Sequence, residues 1–521
     1  MTNTTTGDGF ATISVAAILA ESAKRTPDSI ALIVGEDETS YGDLWRQTKA
    51  YAGALRDRGI GPGDAVAVLI PNVPDFARVY YAVLSLGAIV VPVHALLKAR
   101  EIEYVLQDSG ARLMICADAL LGEGGAGAAA SGVDVLTVMS PDGGDLPRLE
   151  AEAAAAEPIR SYEPCRPSDT ATILYTSGTT GKPKGALGTH FALVEQTSVI
   201  LTSVMDFKPG DVLFGGLPLF HTFGQTVVLN AGLRAGATVV LMPRFSGEGA
   251  LALLDRHQVN IFVGVPTMYV ALLEAAKSTD VRPDALRYGI SGGASLPLAV
   301  MDKFREVFGV EIHEGYGLTE TSPVAAFNHV GMTPRPGTIG IPIWGVDIEI
   351  ARAETVERIE LLPNGELGEL VVRGHLLMKG YLNRPEATAE AVVDGWFRTG
   401  DLGTKDDDGY LTIVDRKKDM IIRNGYNVYP REVEEILLTH PEVVSAAVYG
   451  IPHDVHGQEI AAAIVLEAGA TVSEKDLMDF ASAQLAAYKY PRVIRLLTEL
   501  PLGPSGKILK RNLAAESTGA E

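Results

Sequence analysis

The stretch Thr176-Ser-Gly-Thr-Thr-Gly-Lys-Pro-Lys-Gly185 sets hydroxyls, three glycines and two lysines directly after an apolar run, residues 171–175. Glycines let a backbone turn sharply and approach an anion closely, while hydroxyls and lysines donate hydrogen bonds and positive charge. The stretch therefore reads as a loop that holds phosphates, built from Thr176, Ser177, Gly178, Thr179, Thr180, Gly181, Lys182 and Lys184. Its spacing excludes a Walker loop, which needs four residues between its glycines and Ser or Thr after the lysine. Here two residues separate Gly178 from Gly181, and Pro183 follows Lys182. Pro183 also lacks a backbone N–H, so a flap over a polyphosphate is expected rather than a nest at a helix N-terminus. The competing reading is a plain surface turn, which suits an isolated Gly-Thr-Thr-Gly better than the whole decapeptide.

Outward from this loop, short apolar runs alternate with helical patterns: a strand at 65–70, a helix at 74–86, a strand at 88–93, a helix at 189–201 and a strand at 212–217. That alternation predicts an α/β fold with parallel sheet covered on both faces. Residues 13–58 read as helical, with Ser40-Tyr-Gly-Asp43 opening a helix in which Leu44, Thr48, Tyr51 and Leu55 recur at helical spacing. The Gly- and Ala-rich stretch 122–131, with the acidic segments up to 160, reads as surface loop and peripheral helix. Residues 337–413 lose helical periodicity and show short strands with turns at Pro363-Asn-Gly365 and Asp408-Gly409, which predicts a small β-rich subdomain. In the last hundred residues, Asn424-Gly-Tyr-Asn427 is a turn, Pro430 opens a helix, and Ser473 with Asp476 forms a capping box. These read as a separate small α+β unit.

Three further stretches carry chemistry. Gly315-Tyr-Gly-Leu-Thr-Glu320 reads as a glycine-rich turn in which Tyr316 offers a ring face, Thr319 a donor and Glu320 a carboxylate suited to magnesium. An isolated Thr-Glu is more often a solvated helix start. Trp396-Phe-Arg-Thr-Gly-Asp401 places Asp401 where its two oxygens can accept a pair of hydroxyls, although Asp in such a setting is also a common turn former. Leu217-Pro-Leu-Phe-His-Thr-Phe-Gly224 puts His221 between two aromatics, which fits a pocket rim and equally fits core packing.

Together these motifs, in this order, resemble the adenylate-forming superfamily of acyl-CoA synthetases, luciferases and peptide-synthetase adenylation domains, over nearly the whole chain. The resemblance is nearest to fatty acid–CoA ligases. It implies that Gly292, Gly293 and Ala294 lie beside adenine with Gly315, Tyr316 and Gly317, that Thr319 meets the α-phosphate, and that Glu320 holds Mg2+. It implies ribose binding by Asp401, with Arg416 reaching ribose or phosphate. Phe220, His221, Phe223, Val263, Gly264 and Leu318 are expected to form the acyl pocket, with Gly264 leaving room for a chain. Peptide-synthetase domains place an aspartate where this chain has His221, so an acid lacking an α-amino group is expected; nothing here would offset desolvation of an ammonium.

The resemblance also implies a swinging lid. Lys418 is its pivot, Gly425 and Tyr426 line a coenzyme A channel, and Lys507 in Pro501-Leu-Gly-Pro-Ser-Gly-Lys507 is the adenylation lysine. The expected organisation is an N-terminal AMP-binding domain of stacked α/β sheets over 1–414, with the β-rich subdomain at about 337–414. A hinge at 415–418 and a small α+β lid at 419–521 complete it. ATP and coenzyme A are the implied co-substrates and Mg2+ the cofactor. A fatty acid is the expected donor, with an aromatic acid or a carrier-protein thiol acceptor as alternatives. The extra insertion of fatty acyl-AMP ligases is not apparent between Gly340 and Gly374.

Composition agrees with this reading. The 521 residues exceed one compact core, and 47% hydrophobic residues supply several. Forty-four basic against 65 acidic residues give a formal charge of −21, which disfavours a nucleic-acid surface. Cys116 and Cys165 show no metal spacing and suit a reducing, cytoplasmic setting as ordinary thiols. No signal peptide is visible in residues 1–10, and the most apolar run, 79–93, is too short to span a bilayer. A monomer or homodimer, with at most peripheral membrane contact, is expected.

Overall fold

The computed structural model describes residues 11–141, 144–176, 183–279, 281–453, 455–503 and 508–517. Among these, four sheets form. The six-stranded sheet runs Asp134–Val138, Leu113–Ala117, Ala65–Leu69, Ile89–Pro92, Thr170–Thr176 and Lys184–Thr189. It is parallel except at the last pair, where Thr176 faces Lys184. The phosphate stretch thus connects two antiparallel edge strands, and Ser177, Gly178, Thr179, Thr180, Gly181 and Lys182 lie outside the described residues.

The nine-stranded sheet runs Ile341–Pro342, Val324–Phe327, Ile312–Gly317, Tyr288–Ser291, Ile261–Gly264, Val212–Gly215, Thr238–Leu241, Ile30–Val34 and Asp37–Ser40. Its middle is parallel and its rims antiparallel. The helix Pro74–Ser85 is buried on nearly every face, because it lies in the core that the two large sheets share. Proline in its first turn forfeits no hydrogen bond. Its two tyrosines reach out of the helix to one side chain: Tyr81 Oη donates to Asn230 Oδ1 at 2.7 Å, and Asn230 Nδ2 donates to Tyr80 Oη at 3.1 Å. Large aromatic area is thereby buried without leaving a polar atom unpaired.

Two expectations change. Residues 13–58 are not helical throughout: the helix Ala17–Arg25 is followed by the hairpin Ile30–Val34 and Asp37–Ser40 before the helix Tyr41–Asp57. Five consecutive apolar residues from Ile30, largely buried beside Thr238–Leu241, carry no period that separates strand from helix. The Gly-rich stretch is a full helix, Leu121–Ser131, not a loop. A Cβ at Gly127 would lie 2.8 Å from Ala99 O, so the small residues serve close packing on the neighbouring helix.

The β-rich segment forms a third, antiparallel sheet of Val346–Ala351, Gly368–Gly374, Trp396–Lys405, Val392–Val393 and Leu411–Arg416, with one helix, Pro385–Ala391. The fourth sheet, Tyr426–Val428, Ile421–Arg423, Gly457–Leu466, Val443–His453 and Val493–Leu497, has its own apolar clusters around Val433, Leu437 and Leu477, and around Tyr449 and Leu513. The architecture is α/β, with a large N-terminal part and a smaller C-terminal part with a mixed sheet. Cys116 and Cys165 are buried free thiols. Among the described residues no helix is long and apolar enough to cross a membrane.

Candidate active site

The parallel strands Tyr288–Ser291 and Ile312–Gly317 end side by side, with Ser291 opposite Glu314, which brings the Gly292–Ala294 turn against the Gly315–Gly317 segment. That segment is strand rather than the expected turn. Its glycines permit close approach: a Cβ at Gly315 would meet the Phe327 ring at 2.4 Å, and one at Gly317 would meet Pro323 O at 1.7 Å. The chain then turns through Thr319–Thr321, with Leu318 N donating to Thr321 Oγ1 at 2.8 Å, and leaves Glu320 only 8% exposed.

Three motifs meet at one carboxylate. Tyr316 Oη donates to Asp401 Oδ2 at 2.6 Å, and Arg416 Nε lies 3.0 Å from Asp401 Oδ1. Asp401 sits within the strand Trp396–Lys405, not in a free turn, directly opposite Arg416 in the antiparallel register. Gly400, at φ +74°, gives the bend before it. Burial and the adjacent carboxylate raise the Tyr316 phenol, so it stays a donor. Each Asp401 oxygen spends one lone pair here and keeps another for a hydroxyl.

Glu314 was not anticipated. It is 2% exposed; Oε1 accepts from Leu296 N at 3.1 Å, and Oε2 has no partner among the described residues. Burial pushes its carboxyl up to about 7, against the pull of Arg431 and the Leu296 N–H. A buried acceptor left open next to the strand end that leads into the Gly292–Ala294 turn is a recognition atom in waiting. The sequence did hold a signal: strand alternation puts Glu314 on the same face as the buried Ile312, where an acid needs a reason to be.

Glu320 is held by a second unanticipated residue, Tyr381, whose Oη donates to Glu320 Oε1 at 2.8 Å. The Tyr381 ring lies under Lys184, with Nζ 5.0 Å from its centroid. Magnesium requires oxygen donors, and a carboxylate with one oxygen anchored fits that demand.

The residues expected to form the acyl pocket divide. A narrow apolar cavity of about 20 Å³ is lined by Leu217, Pro218, His221, Phe223, Gly224, Val265 and Gly293, so it includes His221 and Phe223 and borders the glycine turn. Phe220 instead packs on His94, ring centroids 4.0 Å apart. Val263 is buried within its strand, and Leu318 joins the cluster of Ala186, Met378 and Phe397. Gly264 leaves no channel, because the Phe262 ring fills the space where its Cβ would lie. A larger cavity of about 280 Å³, lined by Arg56, Pro62 and Arg160 among others, contains none of the motif residues.

Lys507 lies outside the described residues; its flanks Leu502 and Ile508 form an antiparallel bridge. Lys418 is exposed just past the strand Leu411–Arg416. Asn424 and Gly425 form a two-residue hairpin with φ +53° and +79°, and Tyr426, 57% exposed, stacks on Tyr488 at 4.8 Å. Among the described residues no hydrogen bond joins this hairpin to the Asp401 cluster. His453, His456 and Glu459 cluster nearby, but Glu459 is gripped by Arg423 through bonds of 2.6 and 2.9 Å, and the His453 Nδ1 accepts backbone N–H groups. That arrangement is a structural brace, since a cation would sit against a guanidinium.

Two family models match the chain: AMP-binding enzyme over residues 19–382 and AMP-binding enzyme C-terminal domain over 432–507. A long-chain-fatty-acid–CoA ligase of Bacillus subtilis (strain 168) is 35% identical over 96% of this chain and 94% of its own length. A feruloyl-CoA synthase of an Amycolatopsis species is 35% identical over 94% of this chain and 96% of its own. The ATP-bound crystal structure of MatB from Rhodopseudomonas palustris superposes with a TM-score of 0.88 at 32% identity, covering 97% of this chain and 99% of that one. The apo structure of the same MatB gives 0.79 at 31% identity, covering 98% and 99%.

Proposed function

The chain belongs to the AMP-binding enzyme family as an acyl-CoA ligase, an acid–thiol ligase using ATP and coenzyme A, and from that premise we propose that its acid is apolar, without an α-amino group. A fatty acid is the preferred donor and an aromatic acid the second reading, favoured by the small cavity beside Phe223 and by the feruloyl-CoA relative. The observation that carries the nucleotide half is the Tyr316–Asp401–Arg416 cluster, where residues from three separate motifs converge on one carboxylate.

In this reading Asp401 accepts the ribose hydroxyls, the Tyr316 ring and the Gly292–Ala294 turn sandwich adenine, and Glu314 Oε2 accepts from an exocyclic amino group. Thr319 and Lys184 hold phosphate oxygens with the Thr176 end of the loop. Mg2+, held by Glu320, would neutralise charge on the phosphates. Attack of a carboxylate on the α-phosphorus brings two anions together, and Lys507 is assigned to offset that repulsion by about 3–4 kcal/mol. Acyl adenylate and pyrophosphate result, and a thiol then displaces AMP.

The two half-reactions need different access, so rotation about Lys418 is part of the proposal, with Gly425 and Tyr426 facing the thiol channel afterwards. The better superposition on ATP-bound than on apo MatB supports reading this arrangement as the adenylating one, with the hairpin turned away. The domain limits proposed are 1–414, 415–418 and 419–521, and a cytoplasmic site of action belongs to the same reading. The test is a panel of short, medium, long and aromatic acids with ATP, following pyrophosphate release before and after adding coenzyme A. Release with apolar acids and none with amino acids is expected; preference for an amino acid would overturn the acid assignment.

A further inference from the structure

The segment 378–382 belongs to no motif singled out above, yet it ties the phosphate-binding strand to the metal carboxylate. On one side it pairs with the strand Lys184–Thr189: Leu382 N donates to Gly185 O at 2.8 Å, Leu187 N to Gly380 O at 3.0 Å, and Lys379 N to Leu187 O at 2.8 Å, with Ala186 opposite Tyr381. On the other side Met378 N donates to Glu320 O at 2.8 Å. Tyr381 completes the link with its hydroxyl on Glu320 Oε1 and its ring under Lys184 Nζ. The backbone that carries the ring is itself anchored, because Tyr381 N donates to Thr388 Oγ1 at 2.9 Å.

A carboxylate on a short turn rotates freely unless something holds it. One hydrogen bond to Oε1 fixes the plane of the group and directs the remaining lone pairs, the role that outer partners of metal ligands commonly play. The phenol suits this task, since its O–H is already aimed at Glu320 Oε1 at 2.8 Å. Meanwhile the ring face gives the Lys184 ammonium a cation–π seat, which holds it over the same spot.

We infer that Tyr381 is a positioning residue that aims the Glu320 carboxylate at the metal and seats Lys184 at the phosphates, coupling metal binding to polyphosphate binding through one side chain. The inference rests on the nucleotide reading above. A purely structural Tyr381 would affect stability and binding equally with and without metal, so metal dependence is the discriminating readout.

The experiment is equilibrium binding of ATP, and separately of AMP, by calorimetry to the full chain with and without Mg2+, for wild type, Tyr381→Phe, Tyr381→Ala, Glu320→Gln and Glu320→Gln/Tyr381→Phe. Tyr381→Phe should cut the Mg2+-dependent gain in ATP affinity about 10-fold, leave AMP affinity within about twofold, and cost nothing further in the Glu320→Gln background. Tyr381→Ala, which also removes the ring, should weaken ATP binding even without Mg2+. If Glu320→Gln loses the gain while Tyr381→Phe keeps it, the positioning role is overturned and the nucleotide reading stands. If Glu320→Gln keeps the gain too, the metal assignment itself falls.

Discussion

Around Asp401, Tyr316 and Arg416 are already engaged, and Glu320 and Glu314 each have one oxygen held, by Tyr381 and by Leu296 N. Around the proposed lid, by contrast, Lys417 and Lys418 are exposed, and among the described residues the Asn424–Gly425 hairpin bonds within its own sheet and to His456. The first region is preorganised for one partner. In the second, the contacts are exposed ones that cost little to break, such as Lys417 Nζ to Ala353 O at 2.6 Å. A reaction with two incompatible access needs suits this division, and each half can be challenged separately.

The sharpest challenge is Lys507→Ala. It should slow adenylation about 10²–10³-fold while leaving thioester formation from synthetic acyl adenylate nearly intact. Comparable losses in both half-reactions would erase the contrast between a fixed site and a delivered cation.

Next is Glu314→Gln, which tests how completely the fixed region is buried. Its carboxyl lies at about 7 in the fold against 4.5 as a free group, so the fold binds the proton more tightly than the unfolded chain does. Stability tied to this group is therefore intact below pH 4.5 and is lost as pH rises through 7. Glutamine stays neutral throughout, so the variant should gain over wild type by about 1 kcal/mol at pH 5.5 and about 3 kcal/mol at pH 8. Urea midpoints at the two pH values measure this, and a pH-independent difference would argue against a buried acid.

The same contrast explains what was legible in the chain. Local grammar survived: the Ser40 and Ser473 caps form, Pro74 and Pro430 start helices, and Asn424-Gly425 makes its hairpin with both φ angles positive. These features depend on neighbours a few residues away. Glu314 and Tyr381 escaped notice because their partners come from elsewhere in the fold. Sixty-one positions separate Tyr381 from Glu320, and no period or spacing encodes that meeting. The Tyr316–Asp401 contact spans 85 positions and was anticipated only as two separate roles implied by resemblance. The 30–40 hairpin failed for another reason: a short run buried in a parallel sheet lacks the alternation that identifies a strand.

Lys418→Pro addresses the region proposed to move. Proline fixes φ and removes an N–H, which stiffens the joint. Pyrophosphate release should stay near wild type, while thioester formation should slow roughly 10-fold, about 1.4 kcal/mol in barrier. Equal rates in both steps would place the pivot elsewhere.

The smallest effect should come from the Lys277–Glu467 ion pair, which spans from the helix Pro266–Ala276 to the end of Gly457–Leu466 at 3.0 Å. It looks like a latch between the two regions, yet its side chains are 53% and 40% exposed, and Lys277 is also shared with Glu274 at 2.7 Å. An exposed pair is worth about 0.2–1 kcal/mol, so Lys277→Ala should shift the ratio of the two half-reaction rates by no more than about fivefold. That shift should shrink in about 0.5 M salt, where screening weakens an exposed ion pair. A large, salt-resistant change would mean that the lid is clamped by this contact, and the moving region would then be as preorganised as the fixed one.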